Sequence, residues 1–239
     1  MSNITPQMLE RMQTRMTADW ISKMTAGNPA TLLPSGNVRL PPARMAFADV
    51  VRPSEEKVVN GQVQPSKYGC TLLFGPDADL TALRALRAER IAEYFPQNKT
   101  GAGLDDPIKD QGIRVAPAEG GSNKQGKTLA GFVPGLLMIG PNANLDYRPR
   151  LSRIENGEPV TAFGTEEELV KEFYGGCWVM ATVSVFHGKN PRNPNAFYGL
   201  ASVLKIADDN SFKGGGGDGA EAFTGINLEA AVDPASLFA

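Results

Sequence analysis

Trp178 and Phe186 fall on the same side of a run that alternates strictly. Cys177, Val179, Ala181, Val183 and Val185 form one face, and Trp178, Met180, Thr182, Ser184 and Phe186 the other. Period two marks a β-strand whose faces meet different surroundings. Two flat rings among hydroxyls, followed by a connection carrying Lys189 and Arg192, suit a ligand that is planar and negatively charged. Rings offer stacking faces, and cations meet the charge. The combination recurs along the chain. Tyr147-Arg148-Pro149-Arg150 sets a ring among cations, and Lys67-Tyr68 opens another strand-like run. Phe197 and Tyr198 return on the partner strand, which also carries Lys205, and their alternation allows only one of the two rings to share the face of Trp178. Arg44 and Arg52 bracket a further strand. Each ring taken singly is as well explained as core; the collection is what points to a binding surface.

Conventional catalysis has little to work with. The chain holds one histidine, His187, and two cysteines, Cys70 and Cys177, too few for a Cys/His zinc site. A Ser-His-Asp triad would need His187, and no G-x-S-x-G turn accompanies it. Glu166-Glu167-Glu168 reads as the solvated first turn of a helix. No cofactor or metal is expected. Both cysteines sit inside strand-like runs and read as reduced core thiols of a cytoplasmic protein. No apolar run is long enough to span a bilayer.

The net charge of −2 argues at first against a polyanionic partner, but the charge is partitioned. From Gly214 onward there are four acids (Asp218, Glu221, Glu229, Asp233) and no lysine or arginine; without them the chain has 24 basic residues against 22 acidic. Lys109 to Arg153 holds seven basic residues against three acids, and Phe186 to Ile206 holds Lys189, Arg192 and Lys205 with no acid at all. An acidic average thus conceals a basic surface.

The elements that must position these residues are mostly strands. The first 24 residues read as one helix, with Thr5 as cap, Pro6 at its first position, and Met8, Met12, Met16, Trp20 and Met24 in a stripe that packs on the body or on a second copy of the chain. Strands are expected at Arg44–Val51, Lys67–Phe74, Phe132–Ile139, Tyr147–Ile154, Cys177–Phe186 and Ala196–Ile206. An Asn-Gly turn at Asn60-Gly61 makes a hairpin, and Asn156-Gly157 makes another. Helices are expected after Asp79 as cap, with Leu80, Leu83, Leu86, Ile91 and Tyr94 as apolar side, and over Thr165–Phe173, where Thr165 and Glu168 have capping-box spacing. Residues 97 to 130 read as long loops, and Gly214–Gly217 as a flexible linker. The expected fold is mainly β with two or three helices: a decorated five-stranded OB-type barrel over 27–213, an amphipathic helical extension over 1–26, and an acidic tail over 214–239.

GSNKQGKT, residues 121–128, matches the phosphate-binding pattern G-x-x-x-x-G-K-[ST], with Lys127 and Thr128 in the reactive positions. Its context fails. Pro117 breaks the segment upstream, and Gly131, Pro134 and Gly135 forbid the helix that should follow. A basic loop is the better reading, and a P-loop NTPase is kept only as an alternative, beside a structural or assembly protein whose aromatic face meets protein.

FYGGCWVMATVSVF, an Asn/Pro/Lys connection and FYGLASVLKIADDNSFKGG together resemble the C-terminal half of a family of tailed-phage single-stranded-DNA-binding proteins; ARMAFADVVRP, KYGCTLLFGPDADL and DDPIKDQG fit its earlier layout, so the likeness spans Arg44 to Gly217. The resemblance implies an OB-fold protein that coats single strands during phage replication or recombination in the host cytoplasm. It also implies that the tail, with its four acids and penultimate Phe238, recruits replication or recombination proteins and competes with DNA.

Overall fold

The computed structural model describes residues 4–59, 61–95, 113–116, 129–188 and 196–212. The connection holding Lys189 and Arg192, the octet 121–128 and the acidic tail lie outside these residues. β-Branched and aromatic residues in alternation produce mostly strands: β1 (Thr31–Leu32), β2 (Val38–Arg39), β3 (Ala43–Asp49), β4 (Lys57–Val59), β5 (Gln62–Gln64), β6 (Tyr68–Phe74), β7 (Arg114–Val115), β8 (Leu137–Ile139), β9 (Asn142–Ala143), β10 (Arg150–Glu155), β11 (Glu158–Thr161), β12 (Trp178–His187) and β13 (Ala196–Ala207). Four helices accompany them: α1 (Pro6–Arg11), α2 (Ala18–Gly27), α3 (Thr81–Tyr94) and α4 (Glu166–Glu172).

All strands but the β4–β5 hairpin belong to one large mixed sheet. β3 pairs with β6 and β12, β12 with β13, and the short β9 joins β6 to β13; β10 lies parallel to β13 and carries β11 outward. Followed through β6, β9, β13 and β12, the pairings that leave β3 return to it. Both expected Asn-Gly hairpins form, the second with Asn156 and Gly157 in the left-handed conformation such turns need. The inner face is the core. Val179, Ala181, Val183 and Val185 of β12 meet Leu200 and Val203 of β13, Leu72 of β6 and Leu83 of α3 there, and the free thiols Cys70 and Cys177 are buried among them. Burial pushes the Cys177 thiol up to about 12, so it is no nucleophile at neutral pH.

The N-terminus departs from the expected single helix. Thr5 caps α1 as anticipated, but the chain turns at Gln13, whose φ is +50°, and Thr17 caps a second helix. Members of the stripe pack on the chain's own body. Met12 is buried with Leu73, Leu136 and Met138 on the outer face of the sheet, while Met16 and Trp20 pack round Ile21 and Trp178. The α4 capping box is present in full.

The reason for the break is a buried cluster centred on Asp209. Its carboxylate accepts hydrogen bonds from Thr14 Oγ1, from the Arg15 N–H and, at 2.7 Å, from Trp178 Nε1. Arg44 lies 3.4 Å away with its side chain wholly buried; it donates to the Asn210 carbonyl at 2.7 Å and stands over the Phe212 ring at 4.5 Å. Thr14 and Arg15 lie in the break between α1 and α2, and both are engaged by Asp209 there. Burial pulls Arg44 down to about 10, which leaves it charged at neutral pH. Burial also pushes the Asp209 carboxyl up, but the hydrogen bonds from Thr14 and Arg15 and the charge of Arg44 outweigh it and hold the group below its ordinary range. Because the folded-state value is lowered, this stabilisation is present above about pH 4 and is lost as the pH falls through the folded-state value. Asp209→Ala strands the buried guanidinium and is expected to cost about 3–5 kcal/mol in urea unfolding, with a shallower loss of stability on acidification than the parent shows.

Candidate nucleic-acid interface

β12 answers the question its sequence poses by dividing its outer face in two. Trp178, at the start, is buried under the N-terminal helices, with Trp20 edge-on to it at 5.6 Å, and Met180 is buried as well. Thr182, Ser184 and Phe186, at the far end, stay open. Register extends this open half sideways. Ser184 pairs with Gly199 on β13, Gly199 with Asn142 on β9, Asn142 with Gly69 on β6, and Gly69 with Asp49 on β3. Registered neighbours share a face, so these five residues form one row about 19 Å long, four strand spacings of roughly 4.8 Å. The row is a floor because two members lack side chains. A Cβ on Gly199 would collide with Ser184 Oγ, and one on Gly69 would sit 3.1 Å from the Pro141 carbonyl and 3.3 Å from Asn142 Cβ. Glycine here lets β9 approach and keeps the trough open.

Rings and cations border this floor. Phe186 and Phe197 are each 46% exposed, with centroids 5.9 Å apart at 35°. Tyr147, 72% exposed, and Arg148 join Phe186, Ser184, Asn142 and Asn144 around an open groove of about 430 Å³. Alongside the floor runs a second row: Arg39 pairs with Thr182, Thr182 with Ser202, and Ser202 with Arg150. The two hydroxyls of its centre hydrogen-bond at 2.5 Å, and an arginine closes each end. At the other end of the floor, Lys67 lines a cleft with Gly69 and Asn142. Arg39, Lys67, Arg148 and Arg150 are exposed and form no ion pair among the described residues.

The residues expected from sequence therefore separate. Lys67, Tyr147, Arg148, Arg150, Phe186 and Phe197 come together on one surface. Arg44 and Trp178 do not; they are core members of the Asp209 cluster. Tyr198 is the inward partner of the alternating pair, 4% exposed. Tyr68 turns its ring toward the core. Arg52 is exposed but paired with Glu166 and Glu167, and Lys205 is held by Asp208 at 2.7 Å and lies over Tyr174. Lys189 and Arg192 lie outside the described residues, as do the tail positions Asp218, Glu221, Glu229, Asp233 and Phe238. Sequence reading placed Ser184 on the face of Phe186 but missed Arg39, Asn142 and Asn144. The strand-interior glycines were the available signal, since such a glycine often marks a close approach of ligand or backbone.

The fold is one seen before. The structure of the single-stranded DNA-binding protein from bacteriophage Enc34 is similar over 82% of this chain and 94% of its own, at 23% identity and a TM-score of 0.52. The same protein in complex with ssDNA is similar over 77% of this chain and 93% of its own, at 24% identity and 0.52. The likeness establishes a common fold, in agreement with the resemblance carried by the β12–β13 sequence. No protein-family profile matches the sequence, and no curated protein does.

The division of β12 has a direct test. Trp178→Ala is expected to cost about 3–5 kcal/mol in urea unfolding, as for a buried aromatic, whereas Phe186→Ala is expected to shift the unfolding midpoint little.

Proposed function

We propose that this protein binds single-stranded DNA without sequence preference, as a non-enzymatic coat protein. The observation that carries the reading is the trough itself: a floor of small residues between exposed rings and unpaired cations. Such a floor admits the backbone of a flexible strand, the rings accept bases of any identity, and the cations neutralise phosphates. Duplex DNA, whose bases are already stacked, offers the rings nothing. That a protein of this fold was solved with ssDNA supports the assignment.

The same reading makes the returning set of pairings, β3, β6, β9, β13 and β12, an OB-type five-stranded barrel, with β1–β2, β7–β8 and β10–β11 as decoration. The DNA-contacting set becomes Arg39, Lys67, Asn142, Tyr147, Arg148, Arg150, Phe186 and Phe197, joined by Lys189 and Arg192 in the adjoining connection. The tail over 214–239, all acidic in its charges, is assigned the recruitment of replication or recombination proteins and competition for the basic groove.

Titration against labelled oligo-dT and a duplex of equal length tests this. Tight binding to the single strand alone is expected, with a log–log salt slope of about −0.7 per phosphate, so about −3 from Arg39, Lys67, Arg148 and Arg150. Phe186→Ala is expected to weaken it by roughly 1–3 kcal/mol, one stacking contact. Absence of single-strand binding at low salt, in the full chain and with 214–239 removed, would overturn the reading.

A further inference from the structure

Phe47 is placed where neither folding nor the contact set above explains it. In β3, Ala46 pairs with Thr71 and Asp49 with Gly69, so three steps on one strand answer two on the other. The extra residue makes a bulge, a device that re-aims a side chain. Within it Phe47 takes φ of +49°, a left-handed conformation that is costly for a bulky L-residue. The other two non-glycine residues with positive φ among the described residues, Gln13 and Asn156, lie in turns, where the conformation is ordinary. Phe47 alone adopts it inside a strand. The ring it directs outward is 57% exposed, although Met45 and Ala46 just before it are buried.

The ring's surroundings indicate its occupant. Phe132 braces it at 5.9 Å and 51°. On one side lies the cleft of about 210 Å³ that holds Lys67, Gly69 and Asn142, the far end of the trough floor. On the other lies an apolar hollow of about 370 Å³ with Phe132, Phe212 and Lys57. Asp49 lines both and disfavours a phosphate beside the ring, so the part of a strand that fits there is a base, with its phosphate toward Lys67.

We propose that Phe47 is a nucleobase-stacking residue, held in a strained bulge so that the track continues past Asn142 to the end opposite Phe186. This rests on the single-stranded-DNA reading. Strain gives it a readout that a packing role would not produce. Glycine adopts φ of +49° freely, so in the full chain Phe47→Gly is expected to leave the urea midpoint unchanged or raised while weakening oligo-dT binding roughly 5- to 150-fold. Phe47→Tyr is expected to keep the affinity. The loss should appear only with oligonucleotides long enough to span from Phe186 to Phe47. Unchanged affinity in Phe47→Gly, or an affinity loss matched by a lower urea midpoint, would overturn the proposal. Phe186→Ala distinguishes the two levels: if it weakens binding while Phe47→Gly does not, only the role of Phe47 fails. If the parent protein binds no single strand, the reading beneath it fails as well.

Discussion

The buried contact between Arg44 and Asp209 is the constraint to which the rest of the structure conforms. Two opposite charges inside a protein gain little net stability over a well-packed apolar pair, because both must leave water. What they impose is geometry. Asp209 also receives Thr14, the Arg15 amide and the Trp178 indole, so one carboxylate ties the N-terminal segment, β3, β12 and the exit of β13 to a single point. The two N-terminal helices are thereby laid over the start of β12. The open half of that strand exists as a separate surface because the other half is closed.

This explains which parts were legible in the sequence. Alternation in β12 identified two faces and assigned the small apolar one to the core, since period two is a local property. It could not say that Trp178 and Phe186, alike in chemistry and on the same face, would have opposite fates. Trp178 is covered by residues that precede it by more than 150 positions, and no local pattern reports such a cover. Arg44 misled for the same reason: a cation at a strand's start reads as surface until Asp209, far along the chain, is seen to neutralise it. Short strands such as β2 and β9 carry too few residues for any periodicity, so Arg39 and Asn142 were invisible although register places Asn142 in the middle of the floor and Arg39 at the end of the row beside it.

The Met-striped segment shows the converse. Its apolar spacing was real and its residues are used as a stripe would be, but the continuous helix was not. Propensity and spacing could not register that two residues in the middle would be needed by a carboxylate elsewhere. The β12–β13 pair, by contrast, was read to within one residue at each end, though not its two register shifts, because antiparallel neighbours joined by a short connection keep their partners close in sequence.

The clasp at Asp209 spans about 195 residues, and this separation bears on synthesis as well as on shape. A nascent chain has already released Thr14 and Arg44 long before Asp209 emerges, and until then a guanidinium destined for the interior has no counter-ion. β13, which supplies Gly199 to the trough and joins β9 to β12, likewise follows every strand it pairs with. The long-range pairings thus wait for this segment, and loop closure over so many residues is slow relative to local structure. The trough and the interior are thus completed together, by the same late-emerging segment.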